Sequence, residues 1–101
     1  MGKIRVILKR PDEVFGHVTN ISDTLENLQR TVGGPIEVFR IADDMAVICN
    51  EEGKLLGLEE NMRIGSEILV GNLIFIGVDG EEFCDIPMAF KDYKQVLFGV
   101  N

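Results

Sequence analysis

The side chains best equipped for chemistry in this 101-residue chain sit in one polar stretch, NEEGKLLGLEENMRIG, residues 50–65. Asn50 and Asn61 carry amides, Glu51 a carboxylate, Lys54 and Arg63 cations, and three glycines are spaced among them. Amides and carboxylates read base edges and sugar hydroxyls, whereas lysine and arginine meet phosphate, arginine in a two-pronged way. Upstream, Phe15 and His17 lie in a short polar connection and offer a face on which a planar ligand could stack. Asn, Gly and Glu are also the ordinary vocabulary of solvated turns. The stretch is thus either a ligand-binding loop or only a turn, and composition alone leaves both open.

Catalytic patterns are poor. One histidine and two cysteines, Cys49 and Cys84, 35 residues apart, give no zinc-ligand spacing. Gly53-Lys54 is followed by Leu55, and Ile48 stands where a phosphate loop needs its first glycine. No serine occupies a nucleophile elbow, and the acidic doublets do not match a calcium loop. The Gly33-Gly34 pair closes a helix, where carbonyls rather than amides face outward, so it is no anion site. A non-enzymatic protein without metal or cofactor is expected. Both cysteines are embedded in apolar surroundings and are expected to be buried, reduced thiols of a cytoplasmic protein.

The net charge of −7 argues against a nucleic-acid backbone binder, which needs clustered Lys and Arg. Four acidic doublets, Asp43-Asp44, Glu51-Glu52, Glu59-Glu60 and Glu81-Glu82, fall at expected turns. They are solvated loops or a surface for a basic protein partner. No apolar run approaches the roughly 20 residues of a membrane span, and the basic, alternating start MGKIRVILKR reads as a strand instead of a signal peptide.

The elements that must position these residues follow from periodicity. KIRVILK alternates cleanly and predicts a strand at 3–9, with EVFGHVTN an irregular or short extended return. Asp23 with Glu26 has capping-box spacing, Leu25, Leu28 and Val32 form one stripe, and Gly33-Gly34-Pro35 is a stop, so a helix is expected over about 23–32. IEVFRIA and MAVICN read as a hairpin joined at Asp43-Asp44. The long run 67–78 is divided or bulged at Gly71-Asn72, and Asp79-Gly80 turns the chain into EEFCDI. Phe90, Tyr93 and Leu97 recur at helical spacing after Pro87, predicting a second helix over about 87–98. The expected class is α+β, a single domain over 1–101, with a small mainly antiparallel sheet of four or five strands and two short helices. A domain this small gains from self-association, so a homo-oligomer is expected.

The stretches TLENLQRTVGGPIEVF, ICNEEGKLLGLEENMRIG, LVGN and EEFCDI together cover nearly the whole chain. In them the chain resembles the family catalogued as domain of unknown function 3846, met in bacteria, phages and conjugative elements. The resemblance implies a mobile-element setting, not a reaction. By analogy with small proteins of such elements, it implies an anti-defence sponge that sequesters a nucleotide-derived immune signal, of the cyclic nucleotide or cyclic ADP-ribose class, in the host cytoplasm. Arg63 and Lys54 would take phosphate, Asn50 and Asn61 ribose or base edges, Glu51 a hydroxyl, and Phe15 or His17 a stacking contact. The alternative is an acidic inhibitor of a host defence enzyme, resembling antirestriction DNA mimics, or an accessory domain with no ligand.

Overall fold

A computed structural model describes residues 2–87 together with Asp92, Gln95 and Gly99. In chain order its elements are β1 (Lys3–Lys9), β2 (His17–Ser22), α1 (Leu25–Val32), β3 (Ile36–Ala42), β4 (Met45–Asn50), β5 (Glu60–Ile64), β6 (Glu67–Val70), β7 (Leu73–Asp79) and β8 (Glu82–Cys84). The α+β class holds, but the strand count exceeds the four or five expected. Six strands form one antiparallel sheet in the order β2-β1-β7-β4-β3 with β8 also on β7, and β5-β6 form a separate ribbon. Among the described residues there is one helix. The second helix expected over about 87–98 falls outside the described residues except for Pro87, Asp92 and Gln95.

β4 and β7 are near-continuous apolar runs because they lie in the middle of the sheet and are covered on both faces. Alternation divides their side chains between two cores. Ala46, Ile48, Ile74 and Ile76 join Val6 and Leu8 under α1, while Val47, Cys49, Leu73 and Phe75 join Ile7 under the β5-β6 ribbon. The central sheet is therefore the middle layer between a helix and a ribbon. Each large aliphatic or aromatic side chain fully buried in these cores stabilises the fold by about 1.5–3 kcal/mol.

At eight residues α1 is too short to persist alone. Leu28 and Val32 anchor it to the sheet. Leu25, expected on the same apolar stripe, is 57% exposed at the residue where the helix begins. Thr24, not Asp23, is the cap: its Oγ1 accepts the Asn27 N–H at 3.2 Å. Gly33 closes the helix at φ 85°, a left-handed conformation costly for other residues, and the Gly33 and Gly34 N–H groups both donate to the Gln29 carbonyl.

Gly77 marks a crowded junction. One edge of β7 is filled by β4; the other is shared by β1 along Leu73–Phe75 and β8 along Gly77–Asp79. Past β8 the chain swings onto β1, where Asp85 accepts the Arg5 N–H at 2.8 Å and the Ile86 N–H donates to the Arg5 carbonyl at 2.8 Å. A Cβ at position 77 would run into the Asp85 carbonyl.

Candidate functional site

The three amides of the polar strand ends prove to be braces. Asn50 is 4% exposed; its Nδ2 donates to the Val32 carbonyl at 3.2 Å and its Oδ1 accepts the Glu52 N–H at 2.8 Å. Asn72 Nδ2 donates to the Thr31 carbonyl at 3.1 Å. Together with Gly33 and Gly34 they satisfy the carbonyls of Gln29, Thr31 and Val32 that the helix end leaves without intrahelical partners. Asn61 ties the ribbon to the sheet: its Nδ2 donates to the carbonyls of Lys9 (2.8 Å) and Gly71 (2.7 Å), and its Oδ1 accepts from Lys9 Nζ at 2.6 Å. Asn50 and Asn61 thus spend their amide groups on hydrogen bonds within the fold.

The segment read as one loop is a run of turns at 51–57 followed by β5, which turns back at Gly65-Ser66 into β6. That folding separates the expected cations. Lys54 lies at the mouth of a cleft of about 260 Å³ between β3, β4, β6 and the turns. Arg63 lies on a shallower depression of about 150 Å³ beside Glu60 and Asn61. Phe15 packs against the ribbon-side core, so its ring is a packing element. His17 Nδ1 meets Glu13 Oε2 at 2.9 Å. Partial burial pushes the Glu13 carboxyl up, but the Arg10 N–H and the His17 contact outweigh it and hold the group below its usual value. Neither Phe15 nor His17 borders the cleft.

The cleft has an apolar floor, Phe39, Cys49, Leu69 and Val70, and a charged mouth, Glu37, Glu51, Lys54 and Glu67. Of the residues expected to bind, it gathers Glu51 and Lys54, with Asn50 at its border. The side chains missed in the sequence are Glu37, Phe39 and Glu67. The first two point the same way from alternate positions of β3, a signal present in IEVFRIA, whereas Glu67 reaches the site only through the ribbon. Lys54 Nζ sits 3.2 Å from Glu67 Oε2, with both side chains more than half exposed. Such a pair is worth about 0–1 kcal/mol, so a ligand anion could take over the lysine at little cost.

Cys49 reports the field inside the cleft. Burial, then the carboxylate of Glu37, with Glu67 adding and Lys54 opposing, push its thiol from 9.0 to about 11. The folded state thus holds this proton more tightly than the unfolded one. The resulting stability is fully present below about pH 9 and is lost as pH rises through about 11. Cys84 is half-buried and its thiol is also pushed up, first by burial and then by Asp79, Asp85 and Asp44. The expectation of two buried thiols is therefore corrected for Cys84, which lies on the short edge strand β8. Titration of the native protein with a thiol reagent at pH 8 should modify Cys84 slowly and Cys49 only on unfolding. Equal, rapid labelling of both would contradict the burial of Cys49.

Among the described residues, no three His, Cys, Asp or Glu side chains converge in a way that could hold a metal ion, and no helix is long and apolar enough to cross a membrane. The family model described as domain of unknown function (DUF3846) matches residues 4–97, nearly the whole chain. The chain belongs to the DUF3846 family. No curated protein and no solved structure matches it.

Proposed function

We propose that this DUF3846 protein is a non-enzymatic binding module that retains a small nucleoside-type molecule in the Glu37–Glu67 cleft. The observation that carries the reading is the pairing of an apolar floor containing Phe39 with a mouth of three carboxylates and one ammonium. The floor suits a planar base, and carboxylates accept hydrogen bonds from sugar hydroxyls. Lys54 is the one cation of the mouth, so a phosphate would face outward there, and a polyphosphate would meet net negative potential.

Size narrows the class further. At about 260 Å³ the cleft falls just below the ~300–1,000 Å³ usual for small-molecule sites. One copy has room for one nucleoside-sized body, and a larger cyclic ligand would need walls from a second copy, consistent with the homo-oligomer expected from the chain's length. Retention rather than conversion is supported by the cleft's thiol, which burial keeps protonated. Sequestration of a nucleotide-derived immune signal, on behalf of a phage or mobile element in the host cytoplasm, is the use we propose for such retention.

Thermal unfolding with adenosine, cyclic mononucleotides and cyclic ADP-ribose tests the reading. A ligand at 100 times its Kd stabilises by about 2.7 kcal/mol and should be recovered intact after denaturation. The double variant Glu37→Gln, Glu51→Gln should lose that stabilisation at least tenfold in affinity, while Lys54→Ala should weaken only phosphorylated members. No stabilisation by any member at millimolar concentration, or a chemically altered ligand, overturns the proposal.

A further inference from the structure

Among the described residues β3 ends the strand order, so one of its sides has no neighbouring strand there. The ladder to β4 says which groups lie on that side. The Glu51 N–H donates to the Pro35 carbonyl at 2.7 Å, and the register places Glu37 opposite Cys49 and Phe39 opposite Val47. Hydrogen-bonded pairs alternate in an antiparallel ladder, so Glu37 and Phe39 bond inward to β4. Ile36 and Val38 turn their N–H and C=O groups outward. Beyond them a bulge between Arg40 and Ala42 interrupts the edge. The open template is therefore Ile36–Phe39, with four outward main-chain groups and no proline among them.

Hollows flank this template on both faces of the sheet. On the ribbon side lies the cleft, with Phe39 in its floor and Glu37 and Glu51 at its mouth. On the helix side the eight residues of α1 leave a groove of about 350 Å³ uncovered, lined by Val38, Ala46, Val78 and Phe83 with Arg40 and Glu81 at its margin. Val38, at 46% exposed, is one of the few large apolar side chains left open. Charges facing the template from the two hollows are Glu37, Glu51, Glu67 and Glu81 against Lys54 and Arg40. Lys54 is paired with Glu67, and Arg40 Nη2 donates to the Asp43 carbonyl at 3.0 Å. The exposed acids Asp43 and Asp44 form the adjoining turn.

We propose that the Ile36–Phe39 edge is a docking site for an extended, basic, amphipathic segment of another protein, which adds a strand to the sheet. Main-chain bonds to Ile36 and Val38 supply affinity, and alternate side chains fall into the two hollows. Apolar residues on one side of the incoming strand cover Val38 and the helix-side groove; lysine or arginine on the other side meets Glu37 and Glu51. The charge balance selects this occupant over a second copy, which carries the same net −7 and would bring acidic margins against acidic margins. The incoming strand shares Glu37 and Glu51 with the proposed nucleoside site, but its main-chain contacts to Ile36 and Val38 lie outside the cleft lining, so a variant at Val38 tests it separately.

A fluorescein-labelled eight-residue peptide alternating lysine and valine is the probe, with a glutamate–valine peptide as the charge control. The basic peptide should bind with a Kd that rises steeply with salt, and the acidic one should bind at least tenfold more weakly. Amide exchange by NMR should slow at Ile36 and Val38 on binding. Val38→Pro removes one outward N–H without touching the β4 ladder, so it should weaken binding at least tenfold with an unchanged unfolding midpoint. Val38→Thr, which keeps the N–H and the strand propensity, should retain most of the affinity. Undiminished binding by Val38→Pro in a folded protein, equal binding of the acidic peptide, or Ile36 and Val38 amides already protected in a dimer without peptide would each overturn the inference.

Discussion

Gly77→Ala is expected to remove a large share of the protein's stability. The added methyl meets the Asp85 carbonyl, a main-chain atom held in place because Asp85 and Ile86 are bonded to Arg5 on β1. A clash with a flexible side-chain tip could be relieved by rotation; this one needs β8 or β1 to move. Overpacking costs about 1–3 kcal/mol in ordinary cores, and here the cost should reach roughly 3 kcal/mol or more. For a domain of this size about 4–8 °C of Tm is lost per kcal/mol, so the midpoint should fall by more than roughly 12 °C. Gly80→Ala is the comparison: nothing stands near its Cβ and only a φ of 64° opposes it, so it should cost about 1 kcal/mol. Urea unfolding followed by far-ultraviolet circular dichroism measures both, and a Gly77→Ala midpoint close to wild type would mean the junction is more compliant than its hydrogen bonds imply.

The second large effect is at Asn61. Lys9 is 4% exposed, and Asn61 Oδ1 accepts from its ammonium while Asn61 Nδ2 satisfies two carbonyls. Asn61→Ala leaves a buried cation and two carbonyls short of partners, at a cost of roughly 2–4 kcal/mol. Lys9→Met in the same chain should restore part of that loss, because it removes the stranded charge. Burial lowers the Lys9 pKa against the opposing pull of Glu13 and Asp12. The folded state therefore releases this proton before the unfolded state does, and stability gains from Lys9 as pH rises toward 10.5. Loss of the Asn61 acceptor deepens the shift, so the gap between Asn61→Ala and wild type should narrow in alkali. Cys49 is common to both proteins and cancels in that difference. A gap independent of pH would remove Lys9 from the explanation.

Legibility in the sequence followed how local the determining contacts are. The Asp43-Asp44 hairpin, the division at Gly71-Asn72 and the Gly33 helix stop rest on neighbours within a few residues, and each was readable. β2 is legible only as one alternative, a short extended return in EVFGHVTN, since HVTNIS has little apolar content and owes its extended form to pairing with β1. β5 is hard to tell from a loop because ENMRI lacks clean alternation; the Gly65-Ser66 pair is the hairpin signal the sequence offers. The site was legible only in part for the same reason. Glu51 and Lys54 share a short turn and stay together, while Arg63 is carried away by a ribbon that the linear order does not announce. The asparagines are the least legible, because an amide that braces a helix end and one that reads a ligand have the same composition and differ only in what stands opposite.

The place of β7 in the sheet has a consequence for how the molecule comes to exist. Its two central neighbours, β1 and β4, are hydrogen-bonded to it and not to each other, yet it is made after both. During synthesis the chain holds one hairpin from β1 and β2 and another from β3 and β4, each with apolar faces awaiting a strand not yet made. Only once residues 73–79 have left the ribosome can the halves join. Closure over such sequence distances is slow, and the waiting hairpins are exposed to mispairing. Late joining of two waiting halves is the consequence of making the middle strand of the sheet after both of its neighbours.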